Sequence, residues 1–274
     1  MDIHPTALVA DGAELGVDVK IGPYCVIGPR VRLGDRCRLH SHVIVDGETT
    51  IGSDCEMFPF AVLGTMPQDK KLGSGGGGVL LVGNGNKIRE HVTIHGGTPY
   101  GSGVTRIGNQ NMFLAGAHVG HDATVGNNVV FTNGAAIAGH TIVEDNAVLG
   151  AMVGLHQFAR VGRLAMIGAG AMVSRDAPPF ALVQGDRARL VGVNVIGLKR
   201  QGWSAEDMAV VKRTFRQLFW RTATLQERTE AVREQFGGHP AVREILAFVA
   251  ESRRGICRPR GKLDAGAERD AIEE

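Results

Sequence analysis

Five of the ten histidines lie in the middle third of the chain and are candidates for acid–base chemistry, namely His95, His118, His121, His140 and His156. His121 is followed directly by Asp122, and a carboxylate beside an imidazole can fix its tautomer and support the imidazolium of a general base. Gly139 follows His121 by 18 residues, and a backbone N–H there can stabilise an oxyanion. Each residue also has a plainer interpretation, as a solvated histidine, a turn aspartate or a corner glycine.

The elements that must position these residues follow from a repeat of six residues. An apolar residue recurs at every sixth position from Ile3 to Leu63, again from Val82 to Ile94, and again from Ile107 to Val173. The fifth position is usually small or β-branched, and three of the four cysteines fall there as small buried hydrophobes, namely Cys25, Cys37 and Cys55. A period of six predicts short strands joined by corners, three to a coil, stacked as a parallel β solenoid.

A coil of 18 residues lets each face of the solenoid be followed along the chain. One face holds the hexads at 63, 94, 119, 137, 155 and 173. Two insertions, near 64–81 and 95–106, interrupt the register and leave from this same face. The five histidines lie on this face or at its edge, and adjacent coils are about 4.8 Å apart. We therefore expect the histidines and the inserted loops to lie together and to form a site.

The repeat divides the chain into regions. It predicts a mainly β domain over residues 1–178, followed by a connector over 179–202. Helical spacing, with Ser204 as an N-cap, predicts a small α-helical domain over 203–257. Residues 258–274 are expected to form a disordered tail.

Composition and charge narrow the class of protein. The N-terminus lacks the features of a signal peptide, and no apolar run is long enough to span a membrane, so a cytoplasmic protein is expected. No metal-ligand spacing, nucleophile elbow or phosphate-binding loop is present, so neither a metal nor a cofactor is expected. Residues 186–262 carry 16 basic and 8 acidic groups, which favours an acidic partner; no nucleic-acid partner is expected.

Several segments carry a family resemblance over nearly the whole chain. They are TIHGGT (93–98), AHVGHDATVG (117–126), AGHTIV (138–143), HQFARVG (156–162) and QGDRARLVGVNVIGLKRQG (184–202). In this order they resemble the UDP-N-acetylglucosamine acyltransferases. The resemblance implies a left-handed parallel β-helix, a homotrimer, and active sites in clefts between subunits. It also implies transfer of an (R)-3-hydroxyacyl chain from acyl carrier protein to the 3-hydroxyl of UDP-N-acetylglucosamine, the first step of lipid A biosynthesis.

The resemblance also assigns roles to residues of this sequence. It implies His121 as general base, Asp122 as its orienting partner and Gly139 as oxyanion donor. Ala169 matches a position that limits acyl-chain length, where a bulky residue blocks long chains. Asn194 and Arg200 match nucleotide-contacting positions. The other positions that match substrate-contacting residues are Gln68, Asp69, Lys71, His95, His118, His140, His156 and Gln157.

The chain departs from the family pattern at three places. Ile196 replaces a common Glu, Gly96 replaces a basic residue, and the run GSGGGG at 73–78 is unusual. Lys70 next to Lys71 leaves open which lysine contacts the substrate. These departures concern substrate contacts rather than acyl transfer.

Three other functions are compatible with parts of the sequence. The first is a hexapeptide acyltransferase that uses acyl-coenzyme A. The second is a γ-type carbonic anhydrase, because three clustered histidines can hold zinc. The third is a solenoid that acts only as an interaction scaffold.

Overall fold

In a computed structural model, the chain is described over residues 1–73 and 76–259. The first strands are β1 (Asp2–Ile3), β2 (Leu8–Val9), β3 (Glu14–Leu15), β4 (Lys20–Ile21), β5 (Val26–Ile27), β6 (Val31–Leu33), β7 (Arg38–Leu39), β8 (Ile44–Val45), β9 (Glu48–Ile51), β10 (Glu56–Met57), β11 (Val62–Leu63), β12 (Val79–Val82), β13 (Lys87–Ile88) and β14 (Thr93–Ile94). A short 3-10 helix, Lys70–Leu72, lies in the first loop.

The remaining strands are β15 (Val104–Ile107), β16 (Met112–Phe113), β17 (His118–Val119), β18 (Thr124–Val125), β19 (Val130–Phe131), β20 (Ala136–Ile137), β21 (Ile142–Val143), β22 (Val148–Leu149), β23 (Gly154–Leu155), β24 (Arg160–Val161), β25 (Met166–Ile167), β26 (Met172–Val173), β27 (Ala181–Gln184) and β28 (Arg189–Val193). The helices are α1 (Val195–Arg200), α2 (Ala205–Trp220), α3 (Leu225–Phe236) and α4 (Pro240–Glu251). None of the helices in the described part of the chain has the length and apolarity needed to cross a bilayer.

Successive strands turn through three parallel sheets, so that every third strand through β26 belongs to the same sheet. Sheet A contains β1 and ends in β27 and β28, sheet B runs from β2 to β26, and sheet C runs from β3 to β24. The predicted left-handed parallel β-helix with helices after it is confirmed. Many corners carry a non-glycine residue in the left-handed region, with φ between 55° and 67°, and each such corner turns the chain sharply from one sheet into the next.

The aliphatic residue of each hexad forms the core. The inward side chains stack in rows between coils, and the largest of them, Phe113 and Phe131, pack with ring centroids 4.8 Å apart. Each such side chain stabilises the fold by about 1.5–3 kcal/mol. The cysteines at the fifth hexad position are buried and free, as small core residues would be.

Two loops interrupt the coils at the edge between sheets B and C. The first follows β11 and ends at β12, and the second follows β14 and ends at β15. Regular pairing resumes earlier than the sequence predicts, at Val79 and Val104, because β12 and β15 pair along four residues. The hexad register and the sheet are therefore preserved across both loops.

The predicted connector has a structure of its own. β27 continues sheet A in parallel beside β25, and β28 returns antiparallel to it. α1 follows, and Ser204 then caps α2 by accepting a hydrogen bond from the Asp207 backbone N–H. Arg163 pairs with Glu244 of α4 at 2.7 Å, which ties the helices to the coils.

The first two residues of the predicted tail, 258–274, pair with β28. The carbonyl of Arg258 accepts a hydrogen bond from the backbone N–H of Leu190 at 2.9 Å, and Pro259 pairs with Leu190. The rest of the predicted tail lies outside the described residues.

Candidate active site

Sheet B and its edge bring four predicted histidines together on three consecutive coils. His95 directly follows β14, His118 lies on β17, and His121 and His140 stand at successive corners after β17 and β20. The rings of His95 and His118 are 5.0 Å apart, and those of His121 and His140 are 5.1 Å apart. This is the clustering that the 18-residue coil predicts.

His121 and Asp122 are in direct contact. The His121 Nδ1 atom lies 2.8 Å from Asp122 Oδ2, and both side chains are buried. Neighbouring side chains on a strand point to opposite sides, but Asp122 has a φ of 58°, so its side chain turns back toward the imidazole. The Asp122 backbone N–H also donates to Thr105 Oγ1 at 2.8 Å, which fixes the corner.

The Asp122 carboxylate is ionised because of the donors around it. Burial by itself raises the pKa of Asp122, but hydrogen bonds from Thr98, His121 and Ser102 outweigh burial and lower this pKa to about 2. An ionised Asp122 can accept only, so Nδ1 of His121 carries a proton and Nε2 is the basic atom. This is the tautomer that a general base needs.

Burial lowers the pKa of two other histidines of the cluster, His95 and His118. Burial, together with the neighbouring His118 and His121, lowers the pKa of His95 to about 4. Burial and His121 also lower the pKa of His118, whose Nδ1 lies 2.7 Å from Thr93 Oγ1. Both rings are therefore neutral near pH 7 and can act as hydrogen-bond partners for an uncharged polar group.

Asp69 brings the first loop to the other side of the imidazole. Its Oδ2 atom lies 3.6 Å from Nε2 of His121. The backbone N–H of Lys71 donates to Asp69 Oδ1 at 2.8 Å, and this hydrogen bond is the main cause of a lowered pKa of Asp69. Asp69 is thus an acceptor held at the point where a substrate hydroxyl would approach the base.

His121 lines a cavity of about 310 Å³. Gly139 forms part of the cavity wall, and a Cβ built there would lie 2.6 Å from the His121 ring, so only glycine fits beside this ring. Its backbone N–H donates to no backbone carbonyl in the described residues. The predicted site residues that line the cavity are Gln68, His95, His118, His121, Gly139 and Gln157.

The remaining predicted site residues lie around or away from this cavity. His140 stacks on Phe158 at 4.7 Å, His156 is exposed, and Lys71 is exposed on the first loop. Asn194 caps α1 and donates to the carbonyl of Leu164 at 2.8 Å, while Arg200 is exposed at the end of the same helix. Ala169 is exposed at the corner between β25 and β26.

The sequence reasoning missed the polar residues of the second loop. Thr98 is fully buried and donates from Oγ1 to Asp122 Oδ2 at 2.6 Å, and Ser102 Oγ lies 3.0 Å from Asp122 Oδ1. The exposed Tyr100 interacts with Asp69. Their only sequence signal is their presence in an insertion beside the histidines.

Two glycine-rich segments hold the loops together. The Gly78 backbone N–H donates to the carbonyl of Gly97 at 2.6 Å, and a Cβ on Gly96 would lie 2.6 Å from the carbonyl oxygen of Gly78. A basic side chain at position 96 would require the first loop to move. The departure at Gly96 and part of the GSGGGG run therefore belong to one close contact between the loops.

His121, Asp122 and His140 also form a group whose ligand atoms lie within 4.8 Å of one another. A γ-type carbonic anhydrase would need three histidines here, and this group supplies two. Both Asp122 oxygens already accept hydrogen bonds, Oδ2 from Thr98 and His121 and Oδ1 from Gly103 at 2.9 Å. The donor arrangement thus fits an orienting carboxylate better than a metal ligand.

The chain is similar to known proteins over nearly its whole length. A model of the second domain of UDP-N-acetylglucosamine O-acyltransferases matches residues 176–257, and a model of six bacterial transferase hexapeptides matches residues 12–47. The acyl-[acyl-carrier-protein]–UDP-N-acetylglucosamine O-acyltransferase of Thermodesulfovibrio yellowstonii is 43% identical over 257 residues, which cover 94% of this chain and 99% of the relative.

Solved structures give the same assignment. The UDP-N-acetylglucosamine O-acyltransferase of Moraxella catarrhalis is 33% identical with a TM-score of 0.91, covering 94% of this chain and 100% of its own. The UDP-N-acetylglucosamine acyltransferase of Francisella novicida is 35% identical with a TM-score of 0.91, covering 97% of this chain and 99% of its own. With relatedness along nearly the whole chain, this protein is an acyltransferase and belongs to the family of UDP-N-acetylglucosamine O-acyltransferases.

Proposed function

We propose that the protein transfers an (R)-3-hydroxyacyl chain from acyl carrier protein to the 3-hydroxyl of UDP-N-acetylglucosamine, as the first step of lipid A biosynthesis. The observation that carries the proposal is the buried His121–Asp122 pair, 2.8 Å apart, at the wall of a cavity in a chain of this family. The names of the relatives supply the donor and acceptor classes.

In the proposed reaction, Nε2 of His121 takes the proton of the sugar hydroxyl as its oxygen attacks the thioester carbonyl. The backbone N–H of Gly139, a residue that lines the same cavity, stabilises the oxyanion of the tetrahedral intermediate. The intermediate collapses by breaking the carbon–sulfur bond, and the imidazolium gives its proton to the leaving thiolate. Asp122 stabilises the imidazolium in between without being protonated.

The other predicted contacts complete the substrate site. Asp69 and the neutral His95 and His118 face the sugar, and Gln68 and Gln157 line the same cavity. Asn194 and Arg200 contact the nucleotide, and Ala169 limits the acyl chain. The exposed arginines of α2 meet the acidic carrier protein, and three copies of the chain form a homotrimer with the sites between subunits.

Replacing the base tests this function. His121→Ala should lower the turnover of 3-hydroxyacyl carrier protein with UDP-N-acetylglucosamine by about 100-fold or more, because general base catalysis is lost. His4→Ala, an exposed histidine at the far end of the solenoid, is the matched control and should keep full activity. Retained activity in His121→Ala would refute the proposed base, and transfer from acyl-coenzyme A at the same rate would refute the proposed donor.

A further inference from the structure

Residues of the second loop donate several hydrogen bonds to the Asp122 carboxylate. Thr98 Oγ1 donates to Asp122 Oδ2 at 2.6 Å, and the Thr98 backbone N–H lies 3.2 Å from both carboxylate oxygens. The Gly103 backbone N–H donates to Oδ1 at 2.9 Å, and Ser102 Oγ lies 3.0 Å from the same oxygen. These donors all come from six consecutive residues outside the solenoid.

We propose that this segment, residues 98–103, is a clamp that positions the general base, with Thr98 as its principal positioning residue. The inference deepens the proposed function and rests on it, because it assigns the second loop a role in holding Asp122 for His121. Thr98 is not among the residues that line the cavity, and its side chain donates to Asp122, so it acts through Asp122.

The clamp packs more closely against Asp122 than an ordinary surface loop would. The Gly101 backbone N–H donates back to the Thr98 carbonyl at 3.1 Å, which bends the segment over the carboxylate. A Cβ on Gly101 would lie 2.4 Å from Asp122 Oδ2, so only glycine allows the loop to approach so closely. Thr98 is fully buried, although a hydroxyl in a loop would normally be solvated.

The chemistry explains what such a clamp supplies. The carboxylate has no exposed side-chain surface, and a buried carboxylate needs donors to stay ionised. Oδ2 accepts from both Thr98 Oγ1 and His121 Nδ1, so Thr98 fixes the rotation of the carboxylate about its Cβ–Cγ bond and thereby the direction of the imidazole. Without the hydroxyl, Oδ2 loses its shortest hydrogen bond, and the remaining donors hold the carboxylate less firmly in the orientation that directs the imidazole.

Thr98→Val removes the hydroxyl while keeping the shape of the side chain, and Thr98→Ser restores the hydroxyl. We expect Thr98→Val to lower kcat about tenfold, the effect of losing one hydrogen bond to a charged group, while the KM for each substrate changes less than twofold. Thr98→Ser should recover most of kcat. Thr49→Val, which removes a buried hydroxyl that donates to the Asp46 carbonyl away from the site, is the matched control and should leave kcat unchanged.

A purely structural role for Thr98 gives a different result. If the hydroxyl only fastened the loop, Thr98→Val would raise KM and lower the melting temperature, and this outcome overturns the proposal. Equal kcat values for Thr98→Val and wild type also overturn it. If Thr98→Val does not fold, Ser102→Ala at an exposed position decides instead, with a severalfold fall in kcat at constant KM expected and no fall contradicting the clamp.

These experiments distinguish a failure of the clamp from a failure of the proposed function. Should wild-type protein fail to acylate UDP-N-acetylglucosamine, or should His121→Ala remain active, the function itself is wrong. The clamp alone is wrong when wild type is active, His121→Ala is inactive and both Thr98 variants match wild type.

Discussion

At the scale of single residues, the left-handed backbone conformation of Asp122 determines the direction of its carboxylate. With a φ of 58°, Asp122 directs its carboxylate back to the preceding imidazole, and the two groups meet at 2.8 Å. The corner positions of this solenoid repeatedly adopt such angles, and His140 adopts one as well. The fold therefore supplies the conformation that the proposed catalytic pair of adjacent residues requires.

His95 should remain neutral over the whole working pH range. Its pKa is about 4 in the folded chain, against about 6.5 when unfolded. Between these values the unfolded chain binds the extra proton, so stability rises with pH across that window and is lost as pH falls toward 4. NMR titration of the His95 ring should show a midpoint near 4, and His95→Asn should flatten the stability profile between pH 4 and 6.5. A midpoint near 6.5 would contradict this account.

The sequence identified the site residues only in part. His121, Asp122 and Gly139 are predictable because the repeat fixes which coil and which edge each one occupies. The contact between His121 and Asp122 depends on a backbone angle, and the pattern alone leaves it open. Thr98 and Ser102 could not be found, because they reach Asp122 only through the closure of a loop that has no repeat.

At the scale of elements, α2 and its C-cap residue Arg221 present arginines that are exposed to an acidic protein. Arg213, Arg216 and Arg221 are exposed, although Arg213 also packs over Phe236 at 5.4 Å. The helix is held from its other face, where Phe215 and Phe219 are buried. An exposed basic face on a fixed helix favours electrostatic steering of the carrier protein.

Reversing charge on α2 tests this docking surface. Arg216→Glu combined with Arg221→Glu should raise the apparent KM for carrier protein about tenfold at low salt and leave the KM for the sugar nucleotide unchanged, because steering acts on the acidic partner alone. Lys20→Glu combined with Arg38→Glu, on exposed parts of sheet A, is the matched control. Equal increases in both KM values would argue against docking on α2.

The corner between β25 and β26 provides a test of acyl-chain length. Ala169 is exposed there, so a larger side chain would fit without disturbing the core. Ala169→Met should shift donor preference toward shorter chains about tenfold, because a filled channel penalises only chains that reach it. Rates with a series of 3-hydroxyacyl donors measure the shift; an unchanged length profile would contradict the assignment.

The sequence predicts the strands within the hexad repeat but not the elements that directly follow it. The hexads predict the strands through β26 because each inward residue must pack on the coils beside it. The repeat does not predict the hairpin of β27 and β28 or the six-residue α1. Their hydrogen bonds depend on where the chain turns back across the end of the solenoid.

At the scale of the whole molecule, sheet B combines the site with an exposed apolar surface. Leu8, Val26 and Ile44 on this sheet are 67%, 39% and 36% exposed, and Tyr24 and Phe60 are exposed at its edge. The site histidines lie farther along the same sheet. A partner subunit that covers the aliphatic part would extend over the site, which fits the proposed trimer with sites between subunits.

Ile44→Lys should break this assembly. Wild-type protein is expected at three times the 29.1 kDa chain mass by light scattering. A lysine buried between subunits costs several kcal/mol without a partner charge, so the variant should fall to lower mass and lose activity. Thr124→Lys, on the exposed side of sheet C, should remain trimeric and active. A variant of unchanged mass would place the interface elsewhere.

After each of the two loops the chain returns to the same strand register, and this affects how the protein can evolve. β12 and β15 pair along four residues each, so the coils close again whatever lies between β11 and β12 or between β14 and β15. Doubling the length of a flexible loop costs only about 0.6 kcal/mol in closure entropy. Insertions and deletions can therefore accumulate in these two segments at little cost to the frame, as long as residues 98–103 still reach Asp122. Selection can refit the rest of the pocket to a new acceptor while the coils and residues 98–103 keep His121 and Asp122 in place.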